Sequence, residues 1–199
     1  MTPGVMTRLG GMGRWEPNAR GRLERAAMEL WTERGFEQTT AAEIAERAGL
    51  TKRTFFRHFT DKRDVPFADF DSMRELIVKA VAETPESTAP IAAVAAGIRA
   101  AADVLQEYQE RARYLHVVIA ATPELREREL VKLGEFAAAM AETLRERGVA
   151  DRTAALAAEA GLTAFKIAFR CWLDDADQQD LPRLVQESFD ELRTLTADA

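Results

Sequence analysis

Apolar residues recur at helical rather than strand spacing along most of the chain. Leu23, Ala26, Ala27, Leu30 and Trp31 fall three or four apart and predict a first helix over about Pro17–Arg34, with Gly35 as its stop. Thr40 followed by Glu43 has the spacing of a capping box and predicts a second helix that carries Ile44 and Ala45 inward and ends near Ala48. Gly49 then suits a tight turn, Thr51 caps a third helix from Lys52 to about Phe59, and Asp61 caps a fourth running from Lys62 toward Glu83. Two short helices joined by a glycine-containing turn form a helix-turn-helix layout.

Downstream, the stripes continue without sustained two-residue alternation. Helices are expected over about Ile91–Glu110, through Tyr114 to Ala121, from Pro123 to a stop at Gly148, and over 151–175 and 181–196. The expectation is an all-α chain of about nine helices, divided into an arm (1–16), a helix-turn-helix domain (17–63) and a helical bundle (64–199).

Charge sharpens this division. The whole chain of 199 residues has a formal net charge of −6. Residues 1–63, however, hold 12 Lys and Arg against 8 Asp and Glu, a balance of +4, and the remaining residues balance at −10. A basic module for a polyanion joined to an acidic module for something else fits that asymmetry. No apolar run has the length of a signal peptide or membrane span, and the one cysteine, Cys171, leaves no partner for an intrachain disulfide, so a cytoplasmic protein without membrane contact is expected. Two histidines far apart, His58 and His116, and the lack of a phosphate loop or metal-ligand spacing argue against an enzyme, a metal site or a cofactor.

The stretch GLTKRTFFRHFTDK concentrates the candidate chemistry. On a helix, Lys52, Arg53, Phe56 and Arg57 share one arc while Phe55 and Phe59 point toward Ile44 and Leu50. Such a helix fits the DNA major groove, where cations reach guanine and an apolar ring can touch a thymine methyl. His58 and Lys62 flank the face and could hold phosphates, as could Thr40 with the first amides of the second helix. A charged face on a short helix is more commonly just solvated; the exposed aromatic beside the cations and the glycine turn shift the reading to DNA. For the arm, disorder is the better expectation, with Arg8 and Arg14 in a minor groove as the alternative; Met6 or Met12 could also be the true start.

The segment GFEQTTAAEIAERAGLTKRTFFRHFTDKRDV resembles the DNA-binding domain of the tetracycline-repressor (TetR) family of bacterial regulators. That resemblance implies phosphate contacts at Thr40, His58 and Lys62. It also implies base or backbone contacts at Lys52, Arg53 and Arg57, with Thr51 and Thr54 on the same helix. Phe56 stands where the family usually has a tyrosine, and Arg53 where glycine is common. It further implies a ligand-responsive repressor that binds a palindromic operator as a homodimer, pairing through its last two helices. Residues read for that interface are Ala157, Ala164 and Ala168 with Leu181, Leu184, Val185, Phe189 and Leu192. An activator, or a ligand-independent DNA binder of the same fold, is the alternative.

For the effector, Phe67, Phe70, Met73, Phe136, Met140, Phe165, Phe169 and Trp172 form an apolar inventory that serves a pocket or a core equally. RARYLHVVIAATPELRERE and AFRCWL resemble an actinobacterial branch of the family that includes the mycofactocin-system regulators and is described as binding acyl-CoA-like ligands. That branch would place an acyl chain among those residues and a polar end at Arg111, Arg113, His116 or Arg170.

Overall fold

The structure is a computed structural model that describes residues 19–174 and 180–197. Arg8, Arg14, Met6 and Met12 lie outside the described residues. Those residues are helical with no strand among them: α1 (Ala19–Arg34), α2 (Ala41–Arg47), α3 (Lys52–His58), a 3₁₀ turn (Lys62–Phe67), α4 (Phe70–Ala82), α5 (Pro90–Gln106), α6 (Gln109–Ala121), α7 (Pro123–Glu146), α8 (Asp151–Asp174) and α9 (Leu181–Ala197). The chain divides into two compact units, 1–65 and 66–199.

In the first unit, Leu23, Ala27, Leu30 and Trp31 of α1 are buried with Ile44, Ala45, Phe55 and Phe59. Gly35, at φ +87°, ends α1. Thr40 is the N-cap of α2: its hydroxyl accepts from the Glu43 amide, and the Glu43 carboxylate accepts from the Thr40 amide at 2.9 Å. Both halves of the capping box are therefore formed. Arg47 ties α2 back to α1 through two 2.7 Å bonds to Glu33, which hold the Glu33 carboxyl below its ordinary range. Gly49 makes the turn into α3 at φ +65°, and a Cβ there would sit 3.0 Å from the Arg22 guanidinium, which donates to the Ala48 carbonyl at 2.5 Å. Backbone conformation and space both select glycine at this turn.

The start of the fourth helix differs from expectation. Residues 62–67 form a tighter 3₁₀ turn containing Pro66, and the α-helix begins only at Phe70. Proline has no amide hydrogen to donate, so a regular helix through this position would lose a bond and meet a clash one turn back. Asp61 still serves the turn: its carboxylate accepts from the Arg63 amide at 2.9 Å. The helix expected over 91–110 likewise ends earlier, at Gln106, and α6 restarts at Gln109.

Helix α5 lies at the middle of the second unit and buries Ala93, Val94, Gly97, Ile98, Ala101 and Ala102. Its neighbours approach closely because of two glycines. A Cβ on Gly97 would meet Val81 of α4 at 2.7 Å, and one on Gly161 of α8 would meet Val94 of α5 at 2.3 Å. Arg147, just after α7, secures the end of α4 by donating to the carbonyls of Val81 at 2.6 Å and Pro85 at 2.8 Å and to the Thr84 hydroxyl. At α9, the Leu181 amide donates to the Gln106 side chain at 2.8 Å, satisfying one of the helix's orphan N-terminal donors.

Candidate nucleic-acid interface

Helix α3 is only seven residues long, and it is held by what lies beneath it. Thr51 caps it, accepting from the Thr54 amide at 3.1 Å. Phe55 is fully buried and Phe59 nearly so, their rings 5.5 Å apart. With that face anchored, Lys52, Arg53, Phe56, Arg57 and His58 all lie exposed along the helix, with Thr54 half-buried among them. Phe56 keeps 48% of its surface accessible. Its ring meets Phe55 edge-on at 5.3 Å and 81°, and the Lys52 ammonium lies over it at 5.8 Å. No acidic residue occurs between Thr51 and Thr60. The result is a rigidly based cationic surface of the width that a DNA major groove admits.

His58 titrates below its ordinary value of 6.5, first because of partial desolvation and then because Arg57 and Arg20 repel a proton there. The ring is therefore mostly neutral near pH 7 and becomes a better proton acceptor when an anion approaches.

Two candidate phosphate ligands are already engaged. Lys62 turns inward: its ammonium donates to the carbonyls of Phe36 at 2.9 Å, Thr39 at 3.0 Å and Glu37 at 3.4 Å, and lies over the Phe36 ring at 4.4 Å. An ammonium has three donors, and three carbonyls use them, so Lys62 clamps the α1–α2 loop here and a phosphate at Lys62 must displace those carbonyls. Thr40 remains exposed, yet its amide and hydroxyl both donate to Glu43, at 2.9 and 2.6 Å. Arg34 also pairs with Glu43, at 3.0 Å. A phosphate at Thr40 must displace that carboxylate.

In the second unit, the apolar effector candidates form two aromatic groups. Phe67 meets Phe70 edge-on, and Phe70 stacks on Phe136 at 5.1 Å and 15°. Phe165, Phe169 and Trp172 follow one another along α8 at 5.5 and 5.6 Å. Phe136, Met140 and Trp172 belong to the buried core, while Phe70, Met73, Phe165 and Phe169 pack against it half-buried. None of these residues lines an open groove of about 580 Å³ between α4, α7 and α8, whose lining includes Arg74, Ala138, Ala141, Glu142, Arg145 and Ala155. Within each group the rings pack on their neighbours. His116 and Arg170 are exposed, Arg111 pairs with Asp69 at 3.0 Å, and Arg113 donates to the Leu173 carbonyl at 3.2 Å. Glu129, which sequence reasoning did not single out, is partly buried near His116 and Lys166, and desolvation raises its carboxyl above the ordinary range.

The residues read for pairing differ in exposure within one chain. Ala157, Ala164, Ala168, Leu181, Val185 and Phe189 are buried within one chain, because α8 and α9 turn that face onto α5; only Leu184 and Leu192 of the set are partly exposed. Leu156, Thr163, Ile167 and Cys171 lie exposed on α8, with Leu195 exposed on α9.

A family model for bacterial regulatory proteins of the tetR family matches residues 24–68, which contain α2, α3 and most of α1. The chain is similar to the HTH-type transcriptional regulator TcmR of Streptomyces glaucescens, with 36% identity over 81 residues, 41% of this chain and 36% of that protein. It is also similar to the mycofactocin biosynthesis transcriptional regulator MftR of Mycobacterium tuberculosis, 31% identical over 61 residues, 31% of each chain. These matches span about a third of the length of the curated relatives. Among solved structures, SmeT, the repressor of the Stenotrophomonas maltophilia multidrug efflux pump SmeDEF, shares the fold with a TM-score of 0.59 at 20% identity, over 88% of this chain and 89% of that one. Bacillus subtilis FadR in complex with stearoyl-CoA does so with a TM-score of 0.59 at 19% identity, over 86% and 96%. The helix-turn-helix unit over residues 24–68 thus matches bacterial regulatory proteins of the tetR family, and the fold over most of the chain is the one these solved structures share.

Proposed function

We propose that this protein is a homodimeric, ligand-responsive transcriptional repressor that reads a palindromic operator through α3. The observation that carries the reading is the exposed cationic face of α3, with Lys52, Arg53, Arg57 and an exposed phenylalanine set on buried Phe55 and Phe59. One seven-residue helix spans few base pairs, so a two-fold pair with half-sites about 34 Å apart, or a multiple, supplies the missing affinity and specificity. The outward stripe of Leu156, Ile167 and Leu195 offers apolar surface for that pairing.

The effector in this reading is an apolar or acyl-CoA-like molecule. Support comes from the fold shared with a FadR that holds stearoyl-CoA and from the aromatic groups in the second unit. An acyl chain would enter by parting the half-buried rings of Phe70, Phe165 and Phe169, and it releases DNA only if it binds the DNA-incompetent state more tightly. Shifting a 99:1 equilibrium to 1:99 takes about a 10⁴-fold difference in affinity.

The test is fluorescence anisotropy on DNA flanking the protein's own gene, at fixed salt, with a series of acyl-CoAs. Tight binding released by one chain length supports both halves of the reading. Tight binding that no acyl-CoA disturbs keeps the regulator and removes the acyl effector, and equal affinity for random DNA removes the specific repressor.

A further inference from the structure

Phe56 is the least explained residue on α3. It leaves 48% of its surface in water on a helix whose other exposed members are polar, although a partner ring beneath it could have taken it inward. Its orientation is restrained on two sides. The edge-on contact with Phe55 at 5.3 Å fixes the ring against the only fully buried side chain of α3, and Lys52, one turn back, holds an ammonium over it at 5.8 Å. A ring with no hydroxyl can neither donate to a phosphate nor bond a base edge. What it can do in a major groove is cover the one apolar group displayed there, the C5-methyl of thymine.

Resting on the reading of α3 as the DNA-contacting helix, we propose that Phe56 is a specificity-determining residue that selects thymine at one position of each half-site by burying its 5-methyl group. Lys52 and Phe55 are positioning residues for the ring. Arg53 and Arg57 supply attraction and hydrogen bonds on either side, and these do not register the methyl.

The experiment removes the methyl alone. The full chain is used to select its preferred duplex from random DNA, and each thymine of that duplex is then replaced by deoxyuridine, which pairs identically. Loss of one buried methyl corresponds to about a fourfold weaker complex per half-site. The wild-type chain is expected to show that loss at one thymine, and Phe56→Ala to show none there while losing affinity for the parent duplex. Phe56→Leu, which keeps an apolar side chain on the same foundation, should retain part of the thymine preference, so a poorly folding alanine variant does not decide the matter. Wild-type binding indifferent to every thymine-to-deoxyuridine change would overturn the proposal, as would an equal penalty in wild type and a folded Phe56→Ala. Failure of the full chain to select any duplex would overturn the DNA-reading assignment itself, a result distinct from either.

Discussion

Replacing Lys62 by methionine tests whether the clamp exists as described. Methionine keeps an unbranched apolar stem and removes the ammonium, so the carbonyls of Phe36, Glu37 and Thr39 lose their donor and the Phe36 ring loses the cation above it. Two of the bonds have good length, 2.9 and 3.0 Å, and the third is long at 3.4 Å. A hydrogen bond from a charged donor contributes about 1.5 kcal/mol at the low end of its range, and an ammonium on a partly exposed ring about 0.5 kcal/mol. Because freed carbonyls at a surface turn regain water, the net loss is about 2 to 3 kcal/mol rather than the full sum. Hydrogen exchange of the full chain reads this locally: amides over Phe36–Leu50 should exchange about 30- to 150-fold faster. Lys62→Arg is the companion variant, since it preserves the charge, yet a planar fork cannot converge on three carbonyls. If Lys62 instead served a phosphate, arginine would rescue binding and methionine would lower the salt slope of operator affinity by about one per recognition helix while leaving exchange unchanged. That pair of results would refute the clamp.

Three further outcomes follow from other sites. Gly49→Ala should destabilise the first unit by about 1 to 2 kcal/mol in urea unfolding, because alanine pays for the left-handed backbone and crowds Arg22; an unchanged midpoint would mean the turn relaxes freely. His58, depressed below 6.5 by desolvation and by its arginine neighbours, is mostly neutral in the free protein, so a nearby phosphate that raises its proton affinity makes DNA binding tighten as pH falls from about 7.5 to 6, and His58→Gln flattens that dependence. The same depression has the opposite sign for stability, since the unfolded chain takes up the proton first and His58's contribution to folding declines as pH falls through 6.5. Leu156→Glu with Ile167→Glu should yield a folded monomer by light scattering, whereas Phe189→Glu, at a site 3% exposed, should unfold the second unit; a dimer that survives the double change places pairing elsewhere.

Much of the first unit was legible because its signals are local. Thr40 and Glu43 lie three apart and cap each other, Gly35 and Gly49 sit where the backbone turns to positive φ, and Phe55 and Phe59 differ from Phe56 in helical phase. Lys62 was not legible in the same way, since a cation beside a recognition helix looks alike in sequence whether it meets solvent or carbonyls 23 to 26 residues back. Pro66 marked a disturbance, yet its effect was to convert the whole first turn rather than to kink a helix already begun.

In the second unit, the alanine-rich α8 presents small residues on more than one face, so composition alone could not say which face packs on α5; the close approach of Gly161 to Val94 decides it. The aromatic inventory had the same ambiguity between pocket and core. Phe70 and Phe136 stack at 5.1 Å, a contact that a core and a collapsed pocket share, so helical spacing could not separate the two.

The central claim is that the face of α3 reads a specific DNA sequence. The most direct measurement compares the affinity of the full chain for its selected duplex with that for a scrambled duplex of equal length, both at the same near-physiological salt. A specific reader predicts a ratio of about 10³ or more, lowered by Arg53→Ala or Arg57→Ala. A ratio near one, untouched by either arginine change, would contradict it.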